Sequence, residues 1–468
     1  MNTALIMSAP DGSLAETLLK SGISDLVCVT RENVHLRSSS SLLSGREITG
    51  LSQVKIDIPK IKTLLLEAYP LIDRWVSRKH SLSTTLELCL EYTILLIQII
   101  ENNRPSLAIL ETGAPHHMFS YCLDIALNYL DVPLYYLYGN SIDGRCCVVK
   151  GKEKTSFVSV TNYNAQSSID AYISQVKGSS IYTPADSTAS ISHFLHRNFL
   201  YALYLHLRIS VAKIRNRRRR KLSESPICLK LPFLSFWEVL CVIRAQISYQ
   251  KIINRRSERF LVQNVNSDDI VYVGHMVPEA TSFPECPKYP GEIDVLIDLK
   301  NRFPNTKIYY REHPAIKIFG EFGHLHLQGL HKNQSFYNQL ARLEIDVVPV
   351  EIHISKIRER GCLFATKTGR VAVENSILNI PTIVYGFPFY GIDLPLTHHI
   401  SRLACTASVR EIQLYASKIK NPLDAVRSYL VLTFSGTIEN PGISVYSDPK
   451  VRPVFEQSLV KLIQKLCN

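Results

Sequence analysis

Short apolar runs of strand length alternate with stretches of helical spacing in two separate blocks of the chain, and between the blocks the alternation is lost. Strand–helix alternation of this kind builds parallel sheets covered by helices, because a parallel connection needs a long crossover. In the first block Thr3–Ser8, Leu26–Val29 and Leu107–Leu110 read as strands, Phe119–Leu130 has helical spacing, and Val132–Leu137 reads as the next strand. In the second, Ile270–Val273, Lys307–Tyr310, Ile345–Val350, Cys362–Thr366 and Thr382–Tyr385 are the strand candidates. A chain of 468 residues also exceeds one ordinary core. The expectation is α/β: Rossmann-like domains at 1–150 and 263–468, with 151–262 as a connector or insertion that turns helical and basic.

Composition narrows the class. With 46% apolar and 20% charged residues the sequence is that of a folded globular protein. The start, MNTALIMSAPDGS, lacks a basic n-region and a long apolar stretch, and reads as a first strand rather than a signal peptide. The most apolar windows are interrupted by Glu87, Glu91, His206 and Arg208, which argues against a membrane-spanning helix. Eleven cysteines without CxxC spacing imply neither a zinc site nor a disulfide framework, and the reduced cytoplasm fits that pattern.

Charge is concentrated between the blocks. From Arg197 to Arg259 there are 15 Lys/Arg against Glu224, Glu238 and Glu258, an excess of +12 that equals that of the whole chain. Its densest part contains Arg217, Arg218, Arg219, Arg220 and Lys221, just after an apolar, aromatic stretch. Two readings stay open: contact with anionic phospholipid at the inner face of a membrane, or a solvated basic face. No nucleic-acid-binding motif accompanies the patch, so nucleic acid is not expected as a partner.

Polar residues gather where candidate strands end, the place at which open parallel sheets hold ligands. Leu107–Leu110 runs into Glu111-Thr-Gly-Ala-Pro-His116-His117, Ile270–Val273 into Gly-His275-Met-Val-Pro-Glu279, and Lys307–Tyr310 into Arg311-Glu-His313-Pro314. Cys362–Thr366 leads to Lys367-Thr368-Gly369-Arg370 and then Glu374. A strand, a small-residue turn and a helix start suit phosphate, Lys367 and Arg370 would add charge, and glycine permits close approach of backbone. Glu374 is placed to accept from sugar or ribose hydroxyls. A glycine at such a turn also occurs for steric reasons alone.

Four elements in order resemble the capsule polysaccharide biosynthesis family, which includes retaining Kdo transferases: a strand-end histidine with Pro278-Glu279-Ala280-Thr281, then Arg311-Glu312-His313-Pro314, then Thr368-Gly369 with Glu374, then Pro381 through Gly386 to Phe389-Tyr390. Arg311 stands where the family has lysine, and Lys367 and Arg370 make the Thr-Gly turn more charged than is usual there. The resemblance implies a GT-B type architecture of two Rossmann-like domains facing a cleft. It also implies a metal-independent glycosyltransferase, with no cofactor, that moves a sugar, for instance Kdo from CMP-Kdo, to a glycan or glycolipid acceptor. It places the nucleotide-sugar donor at His275, Glu279, Arg311, His313, Thr368, Gly369 and Glu374.

Activation of the acceptor needs a carboxylate or imidazole, for which Glu111, His116 and His117 lie on a suitable loop. Glu111 equally fits a carboxylate answering a helix dipole, and each histidine a hydrogen-bonded loop residue. No DxD motif stands at a strand end, so no metal is expected. Competing readings are a related two-domain nucleotide-sugar enzyme such as an epimerase, and a catalytically silent, membrane-associated assembly subunit.

Overall fold

The computed structural model describes residues 3–7, 25–29, 34–38, 56–67, 82–110, 118–139, 145–151, 156–178, 260–275, 285–313, 332, 334–349, 352–404, 407–439 and 451–467. The strands among them, in chain order, are β1 (Thr3–Met7), β2 (Asp25–Val29), β3 (Val34–Ser38), β4 (Leu107–Leu110), β5 (Leu134–Gly139), β6 (Arg145–Lys150) and β7 (Ser156–Phe157), followed by β8 (Ile270–Val273), β9 (Ile308–Arg311), β10 (Asp346–Val348), β11 (Leu363–Thr366), β12 (Thr382–Val384), β13 (Thr397–His399) and β14 (Ile438–Glu439). The chain forms two compact units: Met1–Ile169 with Leu222–Pro232 and Leu430–Asn468, and Asp170–Lys221 with Phe233–Tyr429.

The sheet of the first unit runs β14-β6-β5-β4-β1-β2-β3, with β7 also on β6. Its centre, β2-β1-β4-β5, is parallel, while β3, β6, β7 and β14 are antiparallel to their neighbours. Strand β4 is buried throughout, as a central parallel strand with both faces covered must be. On one face, Leu107, Ile109, Tyr135, Leu137, Cys146 and Val148 meet Phe455, Leu459, Leu462 and Ile463 of the helix Val451–Cys467. Those four positions recur at helical spacing and form one apolar stripe.

This changes the expected domain division. Residues 263–468 do not form one unit, because β14 pairs with β6 and the final helix covers the first sheet. The connector assigned to 151–262 also contributes β7 to that sheet. Two-residue strands carry no alternation that a sequence pattern can register.

The second unit is more regular. Its sheet runs β10-β9-β8-β11-β12-β13, with every neighbouring pair parallel. Counted from β8, the spatial order is 3-2-1-4-5-6, that of the doubly wound Rossmann sheet. Period-two alternation divides each strand between two cores: Ile270, Tyr272, Ile308, Tyr310, Leu363 and Ala365 face one, and Val271, Tyr309 and Phe364 the other. The chain adds β9 and β10 on one side of β8, then crosses to add β11, β12 and β13 on the other. The expected α/β class with two Rossmann-like sheets is what the chain forms.

Candidate functional site

In the second unit the strand order reverses between β8 and β11, and ligands of open α/β sheets bind beyond the carboxyl ends of the strands at such a point. Just past the end of β8 is His275. Just past β11 are Thr368 and Gly369. The His275 Nε2 lies 2.9 Å from Thr366 Oγ1 and accepts from the Thr368 N–H at 3.3 Å. Segments 93 residues apart are thus joined through one imidazole. The Thr366 hydroxyl also donates to the Val273 carbonyl at 3.4 Å.

Gly369 has a steric rather than a conformational reason. A Cβ there would lie 2.5 Å from Thr366 Oγ1 and 3.4 Å from His275 Nε2. The missing side chain makes room for the threonine–histidine contact inside the protein, so the close approach expected of a ligand is made here by protein atoms. Thr368 is buried, and its hydroxyl has no hydrogen-bond partner among the described residues.

The end of β9 supplies Arg311, Glu312 and His313. Arg311 is buried and its Nη2 lies 3.4 Å from the Ile352 carbonyl. Glu312 is fully buried and accepts from the Tyr310 and Tyr337 hydroxyls at 3.0 Å each and from the His313 N–H at 2.9 Å. Its cation is Lys332, in a short ion pair, and that ammonium also donates to the His275 carbonyl at 2.6 Å. The His275 N–H donates to Glu292, which lies 3.9 Å from the Lys367 ammonium. Buried charges are tolerated only when paired and hydrogen-bonded in this way.

Both strand-end histidines are held neutral. Burial, reinforced by Lys367 and then Lys332, pushes His275 down to about 3. For His313 the causes are burial, then Lys332, His275 and Arg311, and the value is again about 3. Each imidazole is a hydrogen-bonding group and not a cation near neutral pH.

Two expected ligand groups are committed elsewhere. Lys367 is fully buried and donates to the Pro290 carbonyl at 2.8 Å, so it adds no free charge to the Thr-Gly turn. Glu374 accepts from Arg358 Nη2 at 2.8 Å, with Arg370 Nε at 3.6 Å, inside a helix, Val371–Ile377, that is buried along its whole length. Its carboxylate neutralises Arg358 instead of standing open for a hydroxyl. Arg370 reaches the Tyr172 hydroxyl at 3.1 Å and stacks over that ring. The N–H groups of Ala372, Val373 and Glu374 close on the Gly369 and Arg370 carbonyls, which reduces the donors left at the helix start.

Glu111, His116, His117, Glu279 and the basic run Arg217, Arg218, Arg219, Arg220 and Lys221 lie outside the described residues. Among the described residues no group of three or more His, Cys, Asp or Glu is placed to hold a metal ion, and no helix is long and apolar enough to cross a membrane. Glu312 is part of the Arg311-Glu312-His313-Pro314 motif, but the sequence assigns it no task. Lys332 has no motif at all, and only the fold brings it to β8 and β9.

No family model and no curated protein matches the sequence. Solved structures that resemble the chain include KpsC, a beta Kdo 2,7 transferase from Thermosulfurimonas dismutans, at 12% identity and TM-score 0.28, covering 92% of this chain and 99% of that one. They also include UDP-GlcNAc 2-epimerases from Methanocaldococcus jannaschii, at 11% identity, TM-score 0.21 and coverage of 93% and 100%, and from Neisseria meningitidis bound to UDP-GlcNAc, at 9%, 0.22, and 93% and 99%. Superposition scores this low transfer no activity to the chain.

Proposed function

We propose that the protein is a glycosyltransferase of surface polysaccharide synthesis that binds the nucleotide of an activated sugar at the switch point of the second unit. The observation that supports this most is the meeting of His275, Thr366, Thr368 and Gly369 between β8 and β11, with Arg311 and His313 at the end of the adjacent β9. All of these positions but Thr366 belong to the motifs that resemble the capsule polysaccharide biosynthesis family, and the carboxyl ends of the strands at such a reversal are where nucleotides bind in this topology.

On this reading His275 stays with the protein, shaping the turn, while His313 and the Thr368 hydroxyl meet the donor. A neutral imidazole and a hydroxyl recognise the edge of a base or a ribose hydroxyl by hydrogen bonds. Glu374 becomes a support for Arg358 and Arg370. Transfer of a sugar such as Kdo from a CMP donor to a glycan or glycolipid, with acceptor activation by Glu111, His116 or His117, remains part of the proposal. An anionic membrane surface engaged by Arg217–Lys221 would bring the enzyme to lipid-linked acceptors.

Calorimetry of the intact protein with CMP, UDP and purine nucleotides tests the donor site. A pyrimidine nucleotide is expected to bind, and His313→Ala is expected to lose at least about tenfold in affinity while keeping its cooperative melt. No binding by any nucleotide overturns the reading. Product analysis then separates transfer to an acceptor from release of an altered free sugar, the outcome that favours an epimerase. Replacing Arg217, Arg218, Arg219 and Arg220 with serine is expected to weaken sedimentation with anionic liposomes, at about 1 kcal/mol per residue. Unchanged sedimentation removes the membrane from the proposal.

A further inference from the structure

Lys332 occupies a place that no motif accounts for. Its side chain is 1% exposed, its ammonium pairs with Glu312 and donates to the His275 carbonyl at 2.6 Å, and it lies 5.6 Å from the centre of the Tyr310 ring. Glu312 is held in turn by the Tyr310 and Tyr337 hydroxyls and by the His313 N–H. One ammonium therefore connects the chain leaving β8 with the chain leaving β9, and each of those exits carries a histidine.

We propose that Lys332 is a positioning residue of the site, which fixes His275 and His313 relative to each other by bridging the Glu312 carboxylate and the His275 carbonyl. Sequence separation gives the bridge its use. His275 and His313 stand on different strands, and beyond the sheet the backbone ladder no longer sets their spacing. The Lys332–Glu312 pair continues that restraint past the strand ends.

The same charge opposes protonation of both rings, together with Lys367 beside His275 and Arg311 beside His313, on top of the larger effect of burial. The carboxylates facing this backbone are engaged: Glu292 with the His275 N–H and Lys367, Glu312 with Lys332 and two tyrosines. The site thereby presents uncharged imidazole and favours a neutral hydroxyl or heterocycle edge at this point over a phosphate oxygen. This consequence for the ligand rests on the nucleotide reading above; the bridge does not.

The test uses the full chain, Lys332→Met, and the double variant Lys332→Met with Glu312→Gln, which removes both buried charges and so avoids an unpaired carboxylate. Histidine NMR follows the two imidazoles over about pH 3 to 8, and calorimetry with CMP runs over about pH 5 to 8. In the parent neither ring is expected to titrate in that range. In Lys332→Met the titration of at least one ring is expected to rise by one pH unit or more. The double variant is expected to melt near the parent yet bind CMP at least about tenfold more weakly.

Titration of both rings near their ordinary value in the parent overturns the proposal, and so does a folded double variant with parental imidazole signals and parental CMP affinity. If the parent binds no nucleotide, the donor-site reading falls, while the imidazole titrations still decide the role of Lys332.

Discussion

The two sheets have a parallel centre in common but place their buried cations differently. In the first unit, the buried cation among the described residues lies beside the sheet's edge strand β14: Arg145 at the start of β6 donates to Thr437 Oγ1 at 2.8 Å and lies 3.9 Å from the centre of the Tyr163 ring. Its partners lie beside β14, so the guanidinium helps to fasten the returning chain to the first sheet. In the second unit, Glu292, Arg311, Glu312, Lys332 and Lys367 gather beyond the carboxyl ends of β8, β9 and β11. A polar group at an edge joins chain segments. Charges knitted together at a switch point hold an arrangement that a hydrophobic core of equal volume would not need, which is the reason this cluster is the candidate site.

Removing one charge from each region gives the largest contrast. Glu312→Ala leaves Lys332 buried without its carboxylate and is expected to cost about 3–5 kcal/mol, whereas Arg145→Ala, which leaves no charge behind, is expected to cost about 1–3 kcal/mol. Amide hydrogen exchange in denaturant, followed at β4 and β5 for the first unit and at β8 and β11 for the second, reads the units separately. Equal losses would erase the distinction drawn between edge and switch point.

Glycine sharpens it at a smaller scale. Gly151, after β6, has φ +75° and nothing within 4 Å of the point where a methyl would sit, while Gly369 has no room for a methyl. Gly369→Ala is expected to cost about 1–3 kcal/mol by overpacking and to displace Thr366 from His275. Gly151→Ala is expected to cost about 1–2 kcal/mol through backbone strain alone. Only the first should lower nucleotide affinity, which calorimetry on the two variants checks.

The least abrupt effect is with pH. His275 and His313 are depressed from 6.5 to about 3, so between those values the unfolded chain binds protons that the folded chain does not. The stability they confer is complete above pH 6.5 and is lost as pH falls through that window, by up to about 1.4 kcal/mol per pH unit for each ring. The stability of the second unit should therefore fall more steeply with acid, and His275→Gln should reduce the slope by one proton's share. An unchanged slope would show that His275 is not neutral in the folded chain.

Most of the second sheet is legible in the sequence, because parallel strands covered on both faces are continuous apolar runs whose polar exits stand out: β8, β10, β11 and β12 fall within the expected segments, and β9 runs one residue past its own, to Arg311. The strands without a readable pattern, β3, β6, β7, β13 and β14, lie at or near sheet edges, where pairing is antiparallel or the strand is very short. At the site, His275, Arg311, His313, Thr368 and Gly369 are readable as strand-end residues. Their division of labour is not, since Lys367 and Glu374 look like ligand groups until Pro290, Arg358 and Arg370 are seen to occupy them.

Fold class, the two-block organisation and the segments that supply the candidate site are written in the amino-acid order, because periodicity and strand-end polarity are local properties of the chain. Folding in three dimensions is what returns the last helix to the first sheet and sets β8 and β11 on either side of the reversal of strand order. It alone also brought Lys332 between Glu312 and His275. These are contacts between distant segments, and the partner of a buried charge is set by where the sheet puts it, which no spacing along the chain encodes.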